Sequence, residues 1–184
     1  QVNGSLSVWF PVRPKGDEDF VLTRIHDLPG HSAAIRLLAP SQRNRTFLAK
    51  DAGDQLGIYF STSERVLWKG RSPIEKATAM TMSPKGDGAF VAGPGKLAFV
   101  GIANPHPEIS WKSLFGKVFY EGYEQPEYAW QSTGGTDDFE PKLSLTPLVV
   151  GTLKGTFYSL LLAIPLGILG AMFASQFLHP RLLA

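Results

Sequence analysis

The pattern of apolar and polar residues divides the chain into a long alternating part and a short, continuously apolar end. Over the first 135 residues, short apolar alternations are separated by turn-forming clusters, a pattern typical of β-strands. Turn clusters at 51–54, 84–88 and 93–95 carry the Gly, Asp and Pro residues that tight hairpins require. Strands are predicted at 20–25, 34–38, 45–49, 56–60, 65–68, 77–82, 89–92, 97–102 and 108–111. We therefore expect a mainly β region.

The predicted strands also repeat along the chain. Phe47 and Phe90 are 43 residues apart, and so are Trp68 and Trp111. A period of about 40 to 45 residues with four short strands per unit is typical of β-propeller blades. Two or three blades do not close a ring, which normally needs four to eight. The repeat predicts partial, propeller-like antiparallel β-repeats, whose missing strands lie upstream or whose edges are covered by association or another β arrangement. Chance similarity among hairpins is the alternative.

An aromatic-rich stretch follows the last predicted strand. Its rings belong to Phe115, Phe119, Tyr120, Tyr123, Tyr128, Trp130 and Phe139. Such rings suit a packed linker at the boundary between water and lipid, and they equally suit the completion of a β-domain core. The turn-forming run that starts at Gly134 predicts a domain boundary near Gly135, with Thr136, Asp137 or Asp138 capping a following helix. The predicted domains are the β-repeat region 1–135, itself incomplete, and the membrane-associated region 136–184.

The C-terminal apolar run predicts a membrane-spanning helix. From Gly155 to Leu178 the chain has 24 residues without Asp, Glu, Lys or Arg. As a helix this run would be about 36 Å long, enough to cross a hydrocarbon core of about 30 Å. Pro165 lies near its middle, where we expect a kink.

Small residues recur at every fourth position of this run. Because small side chains let helix backbones approach closely in a bilayer, the row predicts contacts with partner helices. Successive members of such a row are offset by about 40°, so several neighbours or one angled crossing would be needed to contact all of them. A generic anchor with a chance row is the alternative. The predicted helix-packing residues are Gly155, Ser159, Ala163, Gly167, Ala171 and Ser175.

Composition and motifs exclude several functions. With 18 Lys and Arg against 16 Asp and Glu, the net charge is +2 and no basic block points to nucleic acid. The absence of cysteine excludes disulfides and thiolate chemistry. His26 and His31 flank a Pro-Gly turn and lack the spacing of a helical zinc pair, and the Gly-Pro-Gly-Lys at 93–96 lacks the P-loop pattern. Arg43 and Arg45 are interpreted as surface residues. We therefore predict no catalytic, metal-binding or cofactor-binding residue, and no enzyme activity.

The segment from Phe139 to Thr156, FEPKLSLTPLVVGTLKGT, followed by Ala-Ile-Pro-Leu-Gly at 163–167, resembles the start of the permease core in PstC-type subunits of bacterial phosphate ABC importers. That family carries Ser-Leu-x-Pro-Leu-x-x-Gly-Thr-Leu, then a helix with Ala-x-Pro-Leu-Gly. The likeness covers about 45 residues. Some long members of the family have a propeller-like periplasmic insertion before this helix.

The resemblance implies the location and the partners of the chain. It implies that residues 1 to about 145 are periplasmic and that Arg181 emerges on the cytoplasmic side of the inner membrane. The implied partners are a second permease subunit, an ATPase subunit that uses ATP, and a periplasmic phosphate-binding protein. Because the other core helices and the coupling loop are absent from these residues, we expect them to form part of a longer transporter that cannot transport phosphate alone. We further expect self-association through the apolar helix.

A membrane-anchored, propeller-like protein-binding module without transport activity remains the alternative function. A propeller-like extracytoplasmic enzyme is a third hypothesis, but no group of residues in the sequence supports it.

Overall fold

The computed structural model describes residues 3–14, 16, 19–136 and 139–177. The chain divides into two units, Gln1–Ser144 and Leu145–Ala184. The elements of the first unit are β1 (Leu6–Val12), β2 (Val21–Leu28), β3 (Ile35–Pro40), β4 (Thr46–Asp51), β5 (Gln55–Phe60), β6 (Arg65–Arg71), β7 (Ala79–Met82), β8 (Gly88–Gly93), β9 (Lys96–Gly101), α1 (Trp111–Phe115), β10 (Trp130–Gln131) and β11 (Lys142–Leu143). The described part of the second unit contains helix α2 (Thr146–Phe177).

The strands form separate antiparallel sheets, which confirms the mainly β fold followed by a long apolar helix. Strands β3 to β6 form a four-stranded sheet in chain order, β7 to β9 a three-stranded sheet, and β1–β2 and β10–β11 two short pairs. Within the described residues none of these sheets closes on itself. The propeller-like arrangement therefore stays a prediction.

The four-stranded sheet lies between two apolar clusters because its side chains alternate between two faces. Leu48 and Ile58 pack with Val91 of the three-stranded sheet. On the opposite face, Ala49 and Tyr59 pack with the β1–β2 pair. Leu48, Ala49 and Tyr59 are fully buried. The three sheets are thus stacked, with the four-stranded sheet in the middle.

Eight of the nine predicted strands correspond to observed strands, β2 to β9. The prediction at 108–111 is wrong, because Ser110 caps helix α1 there: its side chain accepts from the Ser113 amide, and the Ser113 hydroxyl accepts from the Ser110 amide. Strand β1 was not predicted, although Leu6, Phe10 and Val12 of that strand are buried.

The 43-residue repeat is only partly structural. The three-stranded sheet repeats the up-and-down order of β3 to β5, but Trp68 lies in β6 whereas Trp111 begins α1. Within the described residues no fourth strand therefore completes the second repeat. Phe47 packs toward β1–β2, whereas Phe90 lies on the face of its sheet that points away from the preceding sheet. Side chains alternate between the two faces of a sheet at every residue. The residue of β8 that faces the preceding sheet, as Phe47 does in β4, is therefore Ala89, the neighbour of Phe90.

Helix α2 begins before the predicted span. It starts at Thr146, and strand β11 separates it from Thr136, so Thr136 does not cap it. The other two proposed capping residues, Asp137 and Asp138, lie outside the described residues, as do Leu178 and Arg181.

The aromatic-rich stretch belongs to the first unit. Tyr120 is buried, and the ring of Phe119 lies 6.4 Å from that of Phe10 in β1. Other rings of the stretch, among them Trp130, remain exposed. The packing of Phe119 and Tyr120 agrees with the interpretation in which the stretch completes the β-domain core.

Candidate functional site

Helix α2 is long and apolar enough to span a membrane. Its 32 residues would extend about 48 Å, and none of its described side chains is buried. Its only charged residue is Lys154, so 155–177 is an uncharged stretch of about 34 Å. Exposure of so much apolar side-chain surface to water is unfavourable. In a bilayer these side chains would contact lipid, and the helix satisfies the hydrogen bonds of its own backbone. The chain therefore carries one candidate membrane span among its described residues.

The predicted helix-packing row lies entirely in α2 and on its surface. All six members, from Gly155 to Ser175, are exposed. A Cβ atom built on Gly155 or Gly167 would meet nothing within 4 Å. Both glycines therefore leave open surface that the chain itself does not fill, and their role as packing residues stays a prediction.

Because α2 is one continuous helix, its small residues also form a stripe that runs nearly parallel to the helix axis. Three members of the row, Ser159, Ala163 and Gly167, lie on one face of the helix. Four further small residues lie on the same face, and all seven are within about 40° of Ala163 around the helix axis. The added members are Thr152, Thr156, Gly170 and Ala174. Gly155, Ala171 and Ser175 lie farther round the helix. This small-residue face was missed because the every-fourth-residue pattern follows a winding path, whereas a 3.6-residue period alternates steps of three and four.

The opposite face of α2 carries bulky side chains and Pro165. Leu161, Pro165, Ile168 and Met172 lie on this side. The helix continues through Pro165, although proline supplies no amide hydrogen to the Leu161 carbonyl. The kink at this residue stays a prediction.

Two hydroxyl groups of α2 are satisfied inside the helix. Thr152 Oγ1 donates to the Leu148 carbonyl at 2.8 Å, and Ser175 Oγ donates to the Met172 carbonyl at 3.0 Å. These bonds hide the hydroxyl groups from an apolar environment. They leave the methyl and methylene surface of both residues for helix contacts.

The segment before α2 is fixed to the first unit by backbone pairing. Strand β11 pairs antiparallel with β10, so that Trp130 faces Leu143 and Gln131 faces Lys142. The Ser144 amide then donates to the Ala129 carbonyl at 3.0 Å. The chain leaves the first unit at the end of this short ladder.

A charge network borders a polar cavity beside this segment. Arg45 pairs with Glu121 at 2.5 Å and lies 4.0 Å from Glu140, whose side chain is 11% exposed. The cavity has a volume of about 120 Å³ and is lined on one side by residues 41–45, which connect β3 to β4, and on the other by Phe139, Glu140 and Pro141. Burial raises the pKa of Glu140, and Thr62, Arg45 and Lys142 oppose this rise. Arg45 is therefore a tertiary contact, whereas the sequence suggested a simple surface residue.

The two histidines considered as metal ligands instead form carboxylate pairs. His31 Nδ1 lies 3.1 Å from Asp51 Oδ2, and His26 Nδ1 lies 2.6 Å from Glu64 Oε1. Burial lowers the pKa of His31, and Asp51 only partly offsets it. No group of three or more His, Cys, Asp or Glu side chains that could hold a metal occurs among the residues the structure describes.

Asp51 organises the turn between β4 and β5. Its Oδ1 accepts from the Gly53 amide at 2.9 Å and from the Gln55 amide at 2.8 Å, while its Oδ2 faces His31. All the contacts that the structure records for this carboxylate are internal to the fold. The His31 and Asp51 pair therefore stabilises a turn.

The three-stranded sheet has an uncharged outer face. Ala89 and Val91 point toward the four-stranded sheet, and the alternate positions point away from it. The outer residues are Ala79, Thr81, Phe90, Ala92, Leu97 and Phe99. Phe99 and Leu97 are 56% and 69% exposed, and the rings of Phe90 and Phe99 lie 5.0 Å apart. Both faces of this sheet are thus apolar, and only one is covered within the described residues.

A scan against protein-family models and a search of curated proteins find no match to this chain. The fold and the site define the chain as a mainly β unit followed by one helix that is able to span a membrane.

Proposed function

We propose that the chain is part of the permease subunit of a bacterial phosphate ABC importer, with α2 as the first helix of the transport core. The observation that carries the proposal is the segment from Phe139 to Gly167, which resembles the start of that family's core. In support, this segment leads through β11 into an uninterrupted apolar helix. In this proposal residues 1 to about 145 are periplasmic, and the membrane is the bacterial inner membrane.

The small-residue face would supply the contacts with neighbouring core helices. Gly167 and Gly170 have no side chain, and a Cβ atom at either position would meet nothing within 4 Å. A neighbouring helix can therefore approach the α2 backbone closely there, where van der Waals packing replaces the hydrophobic effect as the source of association. The bulky face around Pro165 would contact lipid or larger gaps between helices.

In this proposal the chain positions helices and does not carry out chemistry itself. ATP would be hydrolysed by a separate ATPase subunit, and phosphate would be delivered by a periplasmic binding protein. The second permease subunit would complete the pathway across the membrane. The first unit, on the periplasmic side, would dock or sense the binding protein. That last role rests on its location, and unchanged uptake and binding-protein affinity after deletion of 2–130 from the intact transporter would refute it.

The test is radiolabelled phosphate uptake in cells that lack their own importer and express the intact parent protein with its partner subunits. We expect replacement of Gly155, Ala163 and Gly167 by Leu to abolish uptake while the protein still reaches the membrane. The matched control is Met172→Phe, which adds volume on the opposite face of α2 and should retain uptake. Normal uptake by the triple variant, or no uptake by the intact parent with all partners present, would refute the transport role.

A second candidate function is a membrane-anchored protein-binding module without transport activity. The observation that favours it is the uncharged outer face of the three-stranded sheet, because exposed apolar patches commonly mark interaction sites. This function predicts that Phe99→Lys abolishes partner binding in the cell, while the triple Leu substitution in α2 leaves that binding unchanged. The permease proposal predicts instead that the triple Leu substitution abolishes phosphate uptake.

A further inference from the structure

Three aromatic rings surround the side-chain ammonium group of Lys142. The Nζ atom lies 5.7 Å from the ring centroid of Tyr120, 5.4 Å from that of Tyr123 and 5.5 Å from that of Phe139. Each distance is within the range of about 6 Å at which a cation is attracted to the negative face of a ring. Several rings around one cation form the arrangement by which proteins bind organic ammonium ions.

The cage is assembled from separate parts of the first unit. Tyr120 is buried and lies 5.8 Å from Tyr123, ring to ring. The Phe139 ring packs against the backbone of Gly134, where a Cβ atom would come within 2.1 Å of the ring. A side chain at position 134 would therefore displace this wall of the cage. Lys142 itself is half-buried in β11, next to the end of the first unit.

The remaining contacts of the ammonium group do not replace the rings. Lys142 Nζ donates to Gln131 Oε1 at 2.9 Å, and that amide is on an exposed residue. Lys142 partly opposes the rise in the pKa of Glu140, but the recorded ion-pair partner of that carboxylate is Arg45. Three rings and one neutral acceptor thus contact the ammonium group, an arrangement suited to a cation that also carries apolar surface.

We propose that Tyr120, Tyr123 and Phe139 form an organic-cation site, that Lys142 is its tethered occupant, and that this contact holds β11 against the rest of the first unit. The site would take ammonium ions that carry methyl groups, since these combine positive charge with apolar surface. Strand β11 has only two residues, and so short a pair has little stability of its own. The cation and its rings supply the missing attachment directly before the chain leaves the first unit.

The test is hydrogen exchange of the Ser144 amide, whose bond to the Ala129 carbonyl reports on attachment of the segment. The full chain is measured in detergent micelles. We expect Lys142→Met, which keeps the length but removes the charge, to accelerate exchange roughly tenfold, and Lys142→Arg to stay within about threefold of the original chain. The matched control is Lys117→Met, because Lys117 lies 5.7 Å above the single ring of Tyr128; we expect no acceleration at Ser144. Unchanged exchange in Lys142→Met would overturn the proposal.

Chemical rescue tests the ligand class. In Lys142→Ala, tetramethylammonium chloride should slow Ser144 exchange, whereas sodium chloride at the same ionic strength should not. Equal effects of the two salts would overturn the cation site. Should these variants fail to fold, the original chain still provides a test. The ring currents of a cage shift the Lys142 Cε proton resonances upfield of their random-coil position, and unshifted resonances would overturn the proposal.

Discussion

Substitution of Gly167 by Leu tests whether the small-residue face of α2 is a contact surface. Within the chain the new side chain meets no obstacle, since a Cβ atom at this position has no neighbour within 4 Å. The helix itself should become more stable by about 0.5 to 1 kcal/mol, because Leu is a much better helix former than Gly. Any loss must therefore arise from contacts with another helix.

The size of that loss follows from the added volume. Forcing extra methylene groups into a close helix contact typically costs about 1 to 3 kcal/mol. A difference of about 1.4 kcal/mol is a factor of ten in an equilibrium constant, so association should weaken about five- to 150-fold. The lower half of this range is expected at an angled crossing, where the helices contact each other over only a few turns.

Fluorescence energy transfer between two labelled populations of the full chain in micelles measures this association directly. The sequence has no cysteine, so one introduced cysteine carries each label without background. We expect Gly167→Leu to weaken transfer and Met172→Phe, on the opposite face, to leave it within about twofold. Equal transfer for Gly167→Leu and the original chain would show that this face makes no contact, and the packing argument would fail.

Three further predictions concern the first unit, measured by unfolding of the full chain in detergent. Leu48→Ala should cost about 3 kcal/mol and lower Tm by roughly 6–12 °C, because Leu48 is fully buried between two sheets; an unchanged Tm would contradict this. The lowered pKa of His31 means that the unfolded chain binds its proton first, so stability should fall as pH drops below about 6.5, and His31→Gln should remove that slope. Burial raises the pKa of Glu140, so the contribution of its protonated carboxyl to stability is fully present below the ordinary glutamate pKa and is lost as the pH rises through the raised pKa of the folded chain. Glu140→Gln, which stays neutral, should therefore stabilise the chain at neutral pH. A loss of stability in this variant would contradict the raised pKa.

Local pattern was enough to predict most strands. The apolar run at 56–60 is typical of a strand buried on both faces, and the turn at 93–95 joins β8 to β9 as a hairpin. The same reasoning failed at 108–111, where the apolar alternation and the repeat of Trp68 at Trp111 suggested a strand. Ser110 caps a helix there, and the Ser113 hydroxyl takes the place of the Glu or Gln that usually completes a capping box, so the sequence carried only part of that signal.

The cage and the charge network depend on contacts between distant residues. Arg45 and Glu140 meet because the β3–β4 connection and the segment before β11 lie together in the fold. Likewise Lys142 lies near Tyr120 only because β11 and the segment around 120–123 lie together in the fold. Such neighbours have no fixed sequence spacing, unlike residues on one strand or helix.

The sequence by itself determined the mainly β character of the first part and the presence of a helix able to span a membrane. Both depend on periodicity and on a charge-free run, which are properties of neighbouring residues. Only the tertiary structure decided which face of each sheet is covered, that the three-stranded sheet keeps an uncharged outer face, and that Lys142 lies among three rings. The physical reason is that burial and cation–ring contacts are made between segments, so they exist only once the sheets have packed.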